Sequence, residues 1–226
     1  MPSGMGLLMP KWWGLCPLLA FGSPLWADYM KTDCLGPKGA KTRIVYLHGW
    51  DDPNMGSHER LNRKMWERLA QKHQWRIALP RGDGRCSNGR RQCWRVRSVS
   101  QLESSWRRVE QGAKQCFGKA EGFGVLGFSN GGYMVGGVFQ QCIAPKADWY
   151  IAVGSGGLSY LPAKPKDPAC GPLRIQIGQS DITRKRAKAF YNRLKPHTKD
   201  IKYQLFKGGH IIHEGFLIRE VKLLEP

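Results

Sequence analysis

Short apolar runs alternate along this chain with longer amphipathic stretches. Runs rich in β-branched and aromatic residues predict strands at 44–47, 77–79, 124–128, 149–153, 173–177 and 201–206. Apolar positions at helical spacing predict helices at about 57–72, 99–117, 130–141, 183–195 and 214–224. We expect Ser57 to cap the first helix, and the pair Ser100 and Glu103 to form a capping box for the second. This alternation predicts an α/β fold, a mostly parallel sheet with helices on both faces.

The first 27 residues have the order of a secretory signal peptide. Lys11 is the only charged side chain among them, and an apolar run at 12–21 follows it. Small and turn-forming residues come next, and Ala27 offers a cleavage position. The run is too short, and too interrupted by Gly and Pro, to span a membrane. We therefore expect a secreted or periplasmic protein without stable membrane insertion, with one domain at 28–226.

Six cysteines lie outside the predicted signal peptide, and an even number in an exported chain predicts disulfides. The sequence does not decide between the many possible pairings. The pairs that we prefer are Cys86–Cys93, Cys116–Cys142 and Cys34–Cys170. The first closes one short loop, and the second joins the ends of two predicted helices. No CxxC pair and no histidine at ligand spacing is present, so we expect no metal site.

The chain carries 36 Lys and Arg residues against 17 Asp and Glu, a formal net charge of +19. Such a charge indicates anionic surroundings, for example an acidic envelope polymer or nucleic acid. We expect nucleic acid to be the poorer candidate of the two. A general effect on solubility also explains the charge, so the charge alone does not identify a partner.

The sharpest local pattern is the run Gly127-Phe128-Ser129-Asn130-Gly131, which lies between a predicted strand and a predicted helix. A tight turn there puts the central serine into a strained conformation and exposes its oxygen above the carboxyl edge of the sheet. The two glycines let neighbouring backbone pass without a clash. Because the chain has 28 glycines, the pattern can also arise by chance. Its place between strand and helix favours Ser129 as a nucleophile.

Together with that motif, the order of further features resembles the α/β-hydrolase family. A strand ends in His48-Gly49-Trp50, an acid follows a later strand, and a histidine comes late in the chain. The resemblance covers nearly all of 43–220 and is greatest for small secreted esterases related to dienelactone hydrolases, feruloyl esterases and polyhydroxybutyrate depolymerases. The family's leading strands are not recognisable before residue 43. The resemblance therefore implies a reduced sheet, an open site without a large lid, and a serine esterase that needs no cofactor.

Asp181 is the candidate acid of such a site. It follows the predicted strand at 173–177, at the edge where catalytic groups gather in open α/β sheets. Asp148, Asp167 and Asp200 do not follow a strand in this way. The alternative is that Asp181 only caps the helix that begins near Thr183.

His210 is the candidate base, because it lies in a glycine-flanked loop after the last predicted strand. A neutral imidazole accepts the serine proton and later returns it to the leaving group. His213 is the alternative. His58, His73 and His197 fall in helical or polar stretches and are expected at the surface.

The oxyanion of the reaction is expected to bind to backbone amides. The N–H groups of Asn130, directly after the nucleophile, and of Trp50 are the candidates. His48 is expected to have a structural role in holding the loop that carries Trp50.

Six arginines fall between positions 81 and 97, in a loop that follows a predicted strand. Because such a loop lies over the active-site edge, Arg90 and Arg91 are candidates for binding a carboxylate or phosphate of the substrate. Trp94 is expected to provide a flat apolar wall beside them. A solvated basic loop without a ligand is an equally good interpretation.

The sequence thus predicts an exported serine hydrolase that cleaves carboxylic esters, with anionic or polymeric substrates as a hypothesis. A serine peptidase is the first alternative, because the same side chains cleave amides. A basic, non-catalytic protein that binds a polymer is the second, because the net charge is +19.

Overall fold

The computed structural model describes residues 31–51, 58–119, 122–162, 167 and 170–225. The predicted signal peptide and the predicted cap Ser57 lie outside these residues. The strands are β1 (Thr32–Leu35), β2 (Arg43–Leu47), β3 (Arg76–Pro80), β4 (Gly84–Cys86), β5 (Arg91–Cys93), β6 (Phe123–Phe128), β7 (Ala147–Val153), β8 (Leu173–Gly178) and β9 (Ile201–Phe206). The helices are α1 (His58–His73), α2 (Val99–Phe117), α3 (Asn130–Gln141), α4 (Arg184–Leu194) and α5 (Glu214–Leu224), with a short 3₁₀ turn at Lys195–His197.

Seven strands form one sheet in the order β1-β3-β2-β6-β7-β8-β9, and β4 pairs with β5 in a separate hairpin. Within the seven-stranded sheet, the neighbouring strands in the row β3-β2-β6-β7-β8-β9 are all parallel. Only β1 runs antiparallel to its neighbour β3. The prediction of a mostly parallel sheet is therefore confirmed. Because six strands share one direction, their carboxyl ends meet at the same edge, where the loops converge.

Strand β1 is the element that the sequence did not reveal. Its four residues are all half-buried, and they pair with β3 in a register that sets Cys34 opposite Ala78. A short edge strand of mixed polarity carries neither a buried apolar run nor a clear alternation. The sequence therefore predicts no strand before residue 43, whereas the structure has one there, β1.

Alternating side chains on the central strands supply two separate cores. On β2, Ile44 and Tyr46 belong to the core that includes residues of α1 and α5, while Val45 and Leu47 belong to the core that includes residues of α2, α3 and α4. The alternation follows from the period of two along a strand. Helices therefore cover both faces of the sheet, as predicted. No helix within the described ranges is long and apolar enough to cross a bilayer.

Three disulfides join Cys34 to Cys116, Cys86 to Cys93, and Cys142 to Cys170. The pair Cys86–Cys93 confirms the prediction, and it ties the two strands of the β4–β5 hairpin. The predicted pairs Cys116–Cys142 and Cys34–Cys170 are wrong. The end of α2 meets strand β1, whereas the end of α3 meets the segment before β8, so each helix end finds its own partner.

The start of α2 also differs from the predicted capping box. Ser98, not Ser100, is the cap residue, and its hydroxyl accepts a hydrogen bond from the backbone N–H of Gln101 at 3.2 Å. Because the helix begins at Val99, Ser100 and Glu103 lie too late in the first turn to form the box.

Candidate active site

The structure brings Ser129, Asp181 and His210 together at the carboxyl edge of the sheet. They follow β6, β8 and β9 respectively. His210 Nε2 lies 2.9 Å from Ser129 Oγ, and His210 Nδ1 lies 2.9 Å from Asp181 Oδ2. Three side chains that are distant in sequence thus form one continuous hydrogen-bonded chain.

Ser129 occupies the tight turn between β6 and α3. Its φ of 52° and ψ of −114° lie outside the regions that residues other than glycine prefer, a strain of about 1–3 kcal/mol. The turn is held because Ser129 N–H donates to the carbonyl of Val153 at 2.8 Å. Strained backbone that is held in this way is typical of a nucleophile presented to a substrate.

The two glycines of the motif are required by close backbone approach. A Cβ on Gly127 would lie 2.3 Å from the carbonyl oxygen of Gly131, and one on Gly131 would lie 2.1 Å from that of Leu47. Such distances are far inside van der Waals contact. Any side chain at either position would therefore push β2 or α3 away from the serine turn.

Asp181 has a fully buried side chain that uses both oxygens. Oδ2 accepts from His210, and Oδ1 accepts from the N–H and the hydroxyl of Thr183, each at 2.7 Å. Burial raises the pKa of Asp181, but the hydrogen bonds from His210 and Thr183 outweigh burial and hold it below its ordinary value. The carboxylate therefore stays charged at neutral pH. It accepts hydrogen bonds both from Thr183, the residue before α4, and from the imidazole of His210.

The imidazole of His210 is placed by packing. Its ring centroid lies 4.9 Å from that of Phe128, and a Cβ on Gly154 would come within 3.0 Å of the ring. His213, the alternative base, lies at the start of α5. Its Nδ1 accepts from the N–H of Phe216 at 3.3 Å and so caps α5. Of the two histidines, only His210 reaches the serine.

Asn130 and Trp50 both line the cleft that contains Ser129. The side chain of Asn130 is fixed, because Oδ1 accepts from the N–H of Trp94 at 2.6 Å and Nδ2 donates to its carbonyl at 3.3 Å. The segment after Trp50 is fixed as well, since Asp51 and Gln92 exchange two backbone hydrogen bonds at 3.0 and 2.9 Å. Strand β5 and the residue after it therefore hold both the Asn130 side chain and the backbone after Trp50.

His48 holds the loop from beneath, which confirms its predicted structural role. Nδ1 donates to the carbonyl of Gly49 at 2.5 Å, and Nε2 accepts from the N–H of Gly82 at 2.7 Å. Burial lowers the pKa of His48, so the ring is neutral and can accept at Nε2. Trp94 Nε1 donates to the His48 carbonyl at 2.9 Å.

The three candidate substrate-binding residues of the arginine loop, Arg90, Arg91 and Trp94, lie in different surroundings. Arg91 lines the cleft, with its guanidinium 5.6 Å from the centre of the Trp50 ring. Arg90 lies at the exposed tip of the β4–β5 hairpin and does not line the cleft. Trp94 is buried and is no wall of the cleft, because its indole packs inward on His48.

The cleft has a volume of about 720 Å³ and contains two charged residues that sequence reasoning missed. Glu59, on α1, accepts from the hydroxyl of Tyr46 at 2.9 Å, and burial raises its pKa to about 7. Arg186, on α4, lines the same cleft. Neither position stands out in the sequence, since both lie on helices with many other charged side chains.

No protein-family model matches the chain, and no curated protein sequence is similar to it. Its structure is similar to that of a carboxylesterase from Bacillus cereus, with a TM-score of 0.62, 14% identity, and coverage of 87% of this chain and 94% of that one. A protein of unknown function from Agrobacterium tumefaciens gives a TM-score of 0.60 at 21% identity, covering 87% and 95% of the two chains. A carboxylesterase from Mesorhizobium loti gives 0.59 at 18% identity, covering 83% and 90%. The chain therefore has the α/β-hydrolase fold that the resemblance implied.

Proposed function

We propose that this protein is a serine hydrolase that cleaves carboxylic esters through an acyl-enzyme. The observation that carries the proposal is the imidazole of His210, which lies 2.9 Å from the hydroxyl of Ser129 on one side and 2.9 Å from the carboxylate of Asp181 on the other. A hydroxyl beside a neutral imidazole that is itself oriented by a carboxylate is an activated nucleophile.

In the first half of the reaction, Ser129 Oγ attacks the ester carbonyl carbon while its proton moves to His210 Nε2. Asp181 holds the ring so that Nδ1 carries a proton and Nε2 is free to accept, and it stabilises the imidazolium that forms. When the tetrahedral intermediate collapses, His210 returns the proton to the leaving alcohol. The acyl group is then left on Ser129.

Water releases the acid in the second half by the same steps. His210 takes a proton from the attacking water, and the bond between the acyl carbon and Ser129 Oγ breaks as the serine regains a proton. The cycle uses groups of this chain and water.

We assign stabilisation of the negative charge that develops on the carbonyl oxygen to the backbone N–H groups of Asn130 and Trp50. The contacts of the Asn130 side chain and of Asp51 with the β4–β5 hairpin support this, because a donor that is already fixed requires no reorganisation when charge develops. The start of α3 at Asn130 adds the positive end of a helix dipole at the same place.

An oxidising compartment fits the three disulfides of the described residues. We therefore include export, to the periplasm or the medium, in the proposal. The reduced form of a cytosolic protein would lack these covalent links.

The test is hydrolysis of a neutral ester, such as p-nitrophenyl butyrate, compared with hydrolysis of the matched anilide. The proposal predicts ester cleavage with little anilide cleavage, and loss of activity by at least about 10⁴-fold in Ser129→Ala. Ser100→Ala, at an exposed position on α2, is the control and should retain full activity.

Faster cleavage of peptide amides than of esters would favour the peptidase. A folded wild type with no activity on either substrate, but with salt-sensitive binding to acidic polymers, would favour the non-catalytic binder. Ester hydrolysis that survives in Ser129→Ala would overturn the proposal.

A further inference from the structure

The cleft does not end beside Ser129. Tyr133 and Arg186 line both the cleft and a second groove, which has a volume of about 560 Å³ and lies between the segment 157–160 and α4. We call this second space the distal groove. Because the two spaces share these residues, they adjoin each other at Tyr133 and Arg186.

The distal groove is a built, mostly apolar surface. The ring of Phe190 packs so closely on the 157–160 segment that a Cβ on Gly157 would lie 2.0 Å from it, and the half-exposed ring of Tyr160 lines the groove as well. Arg193 donates to the carbonyls of Leu158 and Ser159 at 3.3 and 3.4 Å. Arg193, which lies on α4, therefore holds the 157–160 segment against this helix.

Arg186, at the junction, is in a different situation. Within the described part of the chain its guanidinium makes no ion pair and no hydrogen bond. Other arginines do pair with carboxylates, namely Arg63, Arg68, Arg81, Arg108, Arg174 and Arg219. An exposed, unpaired guanidinium that lines the same cleft as Ser129 is available to bind an anion.

The charges around Arg186 favour an anion further. The described lining of the distal groove contains no Asp or Glu, and in the described lining of the cleft the only acidic residue is Glu59. Since burial raises the pKa of Glu59 to about 7, that carboxyl is partly uncharged at neutral pH. Arg91 adds a second positive charge to the cleft wall, although its guanidinium also lies over the Trp50 ring.

We propose that Arg186 binds a carboxylate of the substrate, and that the enzyme prefers esters carrying a carboxylate some distance from the scissile bond. This rests on the proposed ester hydrolysis and names its substrate class. The planar guanidinium can form two parallel hydrogen bonds with a carboxylate. The apolar linker of such a substrate lies in the cleft, and larger groups beyond the carboxylate occupy the distal groove.

The experiment compares ethyl esters that differ by one group. Monoethyl adipate and monoethyl suberate carry a carboxylate where ethyl hexanoate and ethyl octanoate carry a methyl group. Wild type, Arg186→Gln and the control Lys185→Gln are measured at low and high salt. Lys185 is exposed and one residue away on α4, and it does not line the cleft, so its loss removes the same charge outside the site.

The proposal predicts that Arg186→Gln raises KM for the better of the two monoesters by about 10- to 100-fold. Its kcat/KM for the neutral esters should stay within about twofold, and Lys185→Gln should leave both classes unchanged. Equal effects of the two variants would show a general charge effect and overturn the proposal. Wild type that cleaves neutral esters without preferring monoesters would overturn it too, while the proposed function would stand.

A binding measurement keeps the two proposals separate. In Ser129→Ala, calorimetry should show that monoethyl adipate binds and that adding Arg186→Gln weakens binding by a similar factor. Binding without hydrolysis in the wild type would contradict the proposed function alone. Binding that does not depend on Arg186 would contradict the assignment of the carboxylate site.

Discussion

Strand β8 has a buried carboxylate next to each of its ends, and the two carboxylates have different partners. At the amino end, Arg174 donates to Glu220 at 3.2 Å and to Asp200 at 2.7 and 3.1 Å. Arg174 and Glu220 are almost fully buried. Beyond the carboxyl end, the buried Asp181 accepts from His210 at 2.9 Å.

The difference lies in what each partner can do with a proton. A guanidinium keeps its charge at any pH that the protein experiences, and Arg174 joins the buried Glu220 to Asp200, whose side chain is half exposed. An imidazole exchanges its proton near neutral pH, and His210 has its other nitrogen on Ser129 in the open cleft. Similar buried carboxylates thus hold a guanidinium at one end of the strand and, at the other, an imidazole that contacts the Ser129 hydroxyl.

Asp181→Asn should have the largest effect and should act on catalysis. The amide can still accept from Thr183, so the fold should persist, but it cannot stabilise the imidazolium of His210. We expect kcat to fall by a factor on the order of 10⁴, with a melting temperature within a few degrees of the wild type. Ester kinetics and thermal unfolding measure the two quantities, and a loss below about tenfold would contradict the assigned role.

Glu220→Gln should act on stability. It removes a buried carboxylate from Arg174, and breaking one partner of a buried ion pair costs about 3–5 kcal/mol of unfolding free energy. Asp200 still pairs with Arg174, which places the expectation near the lower end of that range. Urea unfolding measures this loss, while kcat per folded molecule should change less than about twofold. Full stability with reduced kcat would show that the pair Arg174–Glu220 acts on the reaction and not on stability, which would contradict the contrast between the two ends of β8.

Glu59→Gln should have the smallest effect, visible only as a dependence on pH. Glu59 contacts the neutral phenol of Tyr46, and burial raises its pKa from 4.5 to about 7. The folded state therefore binds this proton more tightly than the unfolded chain. Its contribution to stability is complete below about pH 4.5 and is lost as pH rises through about 7.

Because glutamine does not titrate, the variant should gain stability relative to wild type between pH 5 and pH 8, by on the order of 1–3 kcal/mol. Urea unfolding at the two pH values gives the difference. Equal differences at pH 5 and pH 8 would mean that the carboxyl is not held protonated by the fold.

The parts of the site that the sequence predicted each lie in a turn, close to a glycine, that follows a predicted strand. Ser129 and Asp181 come soon after the buried strands β6 and β8, and His210 follows the half-buried edge strand β9; parallel pairing brings these positions to one edge. For Asp181 the two interpretations were not exclusive, since its oxygens serve both Thr183 and His210.

The parts that the sequence missed depend on which surfaces meet in three dimensions. The partners of Cys34 and Cys142 follow from how α2 and α3 pack, which no spacing records. Trp94 lies within a polar loop, yet it turns inward because the carbonyl of His48 offers an acceptor to its indole N–H. Arg186 is one of several cations on α4, and only the shape of the cleft distinguishes it.

The most direct test of the central claim is the reaction of the folded protein with a fluorophosphonate, followed by peptide mass spectrometry. A serine activated by an imidazole reacts with such a reagent, whereas ordinary surface serines do not. We expect one phosphonyl group per chain, located on Ser129, and no labelling in Ser129→Ala. An unlabelled folded wild type, or a label on any other residue, would contradict it.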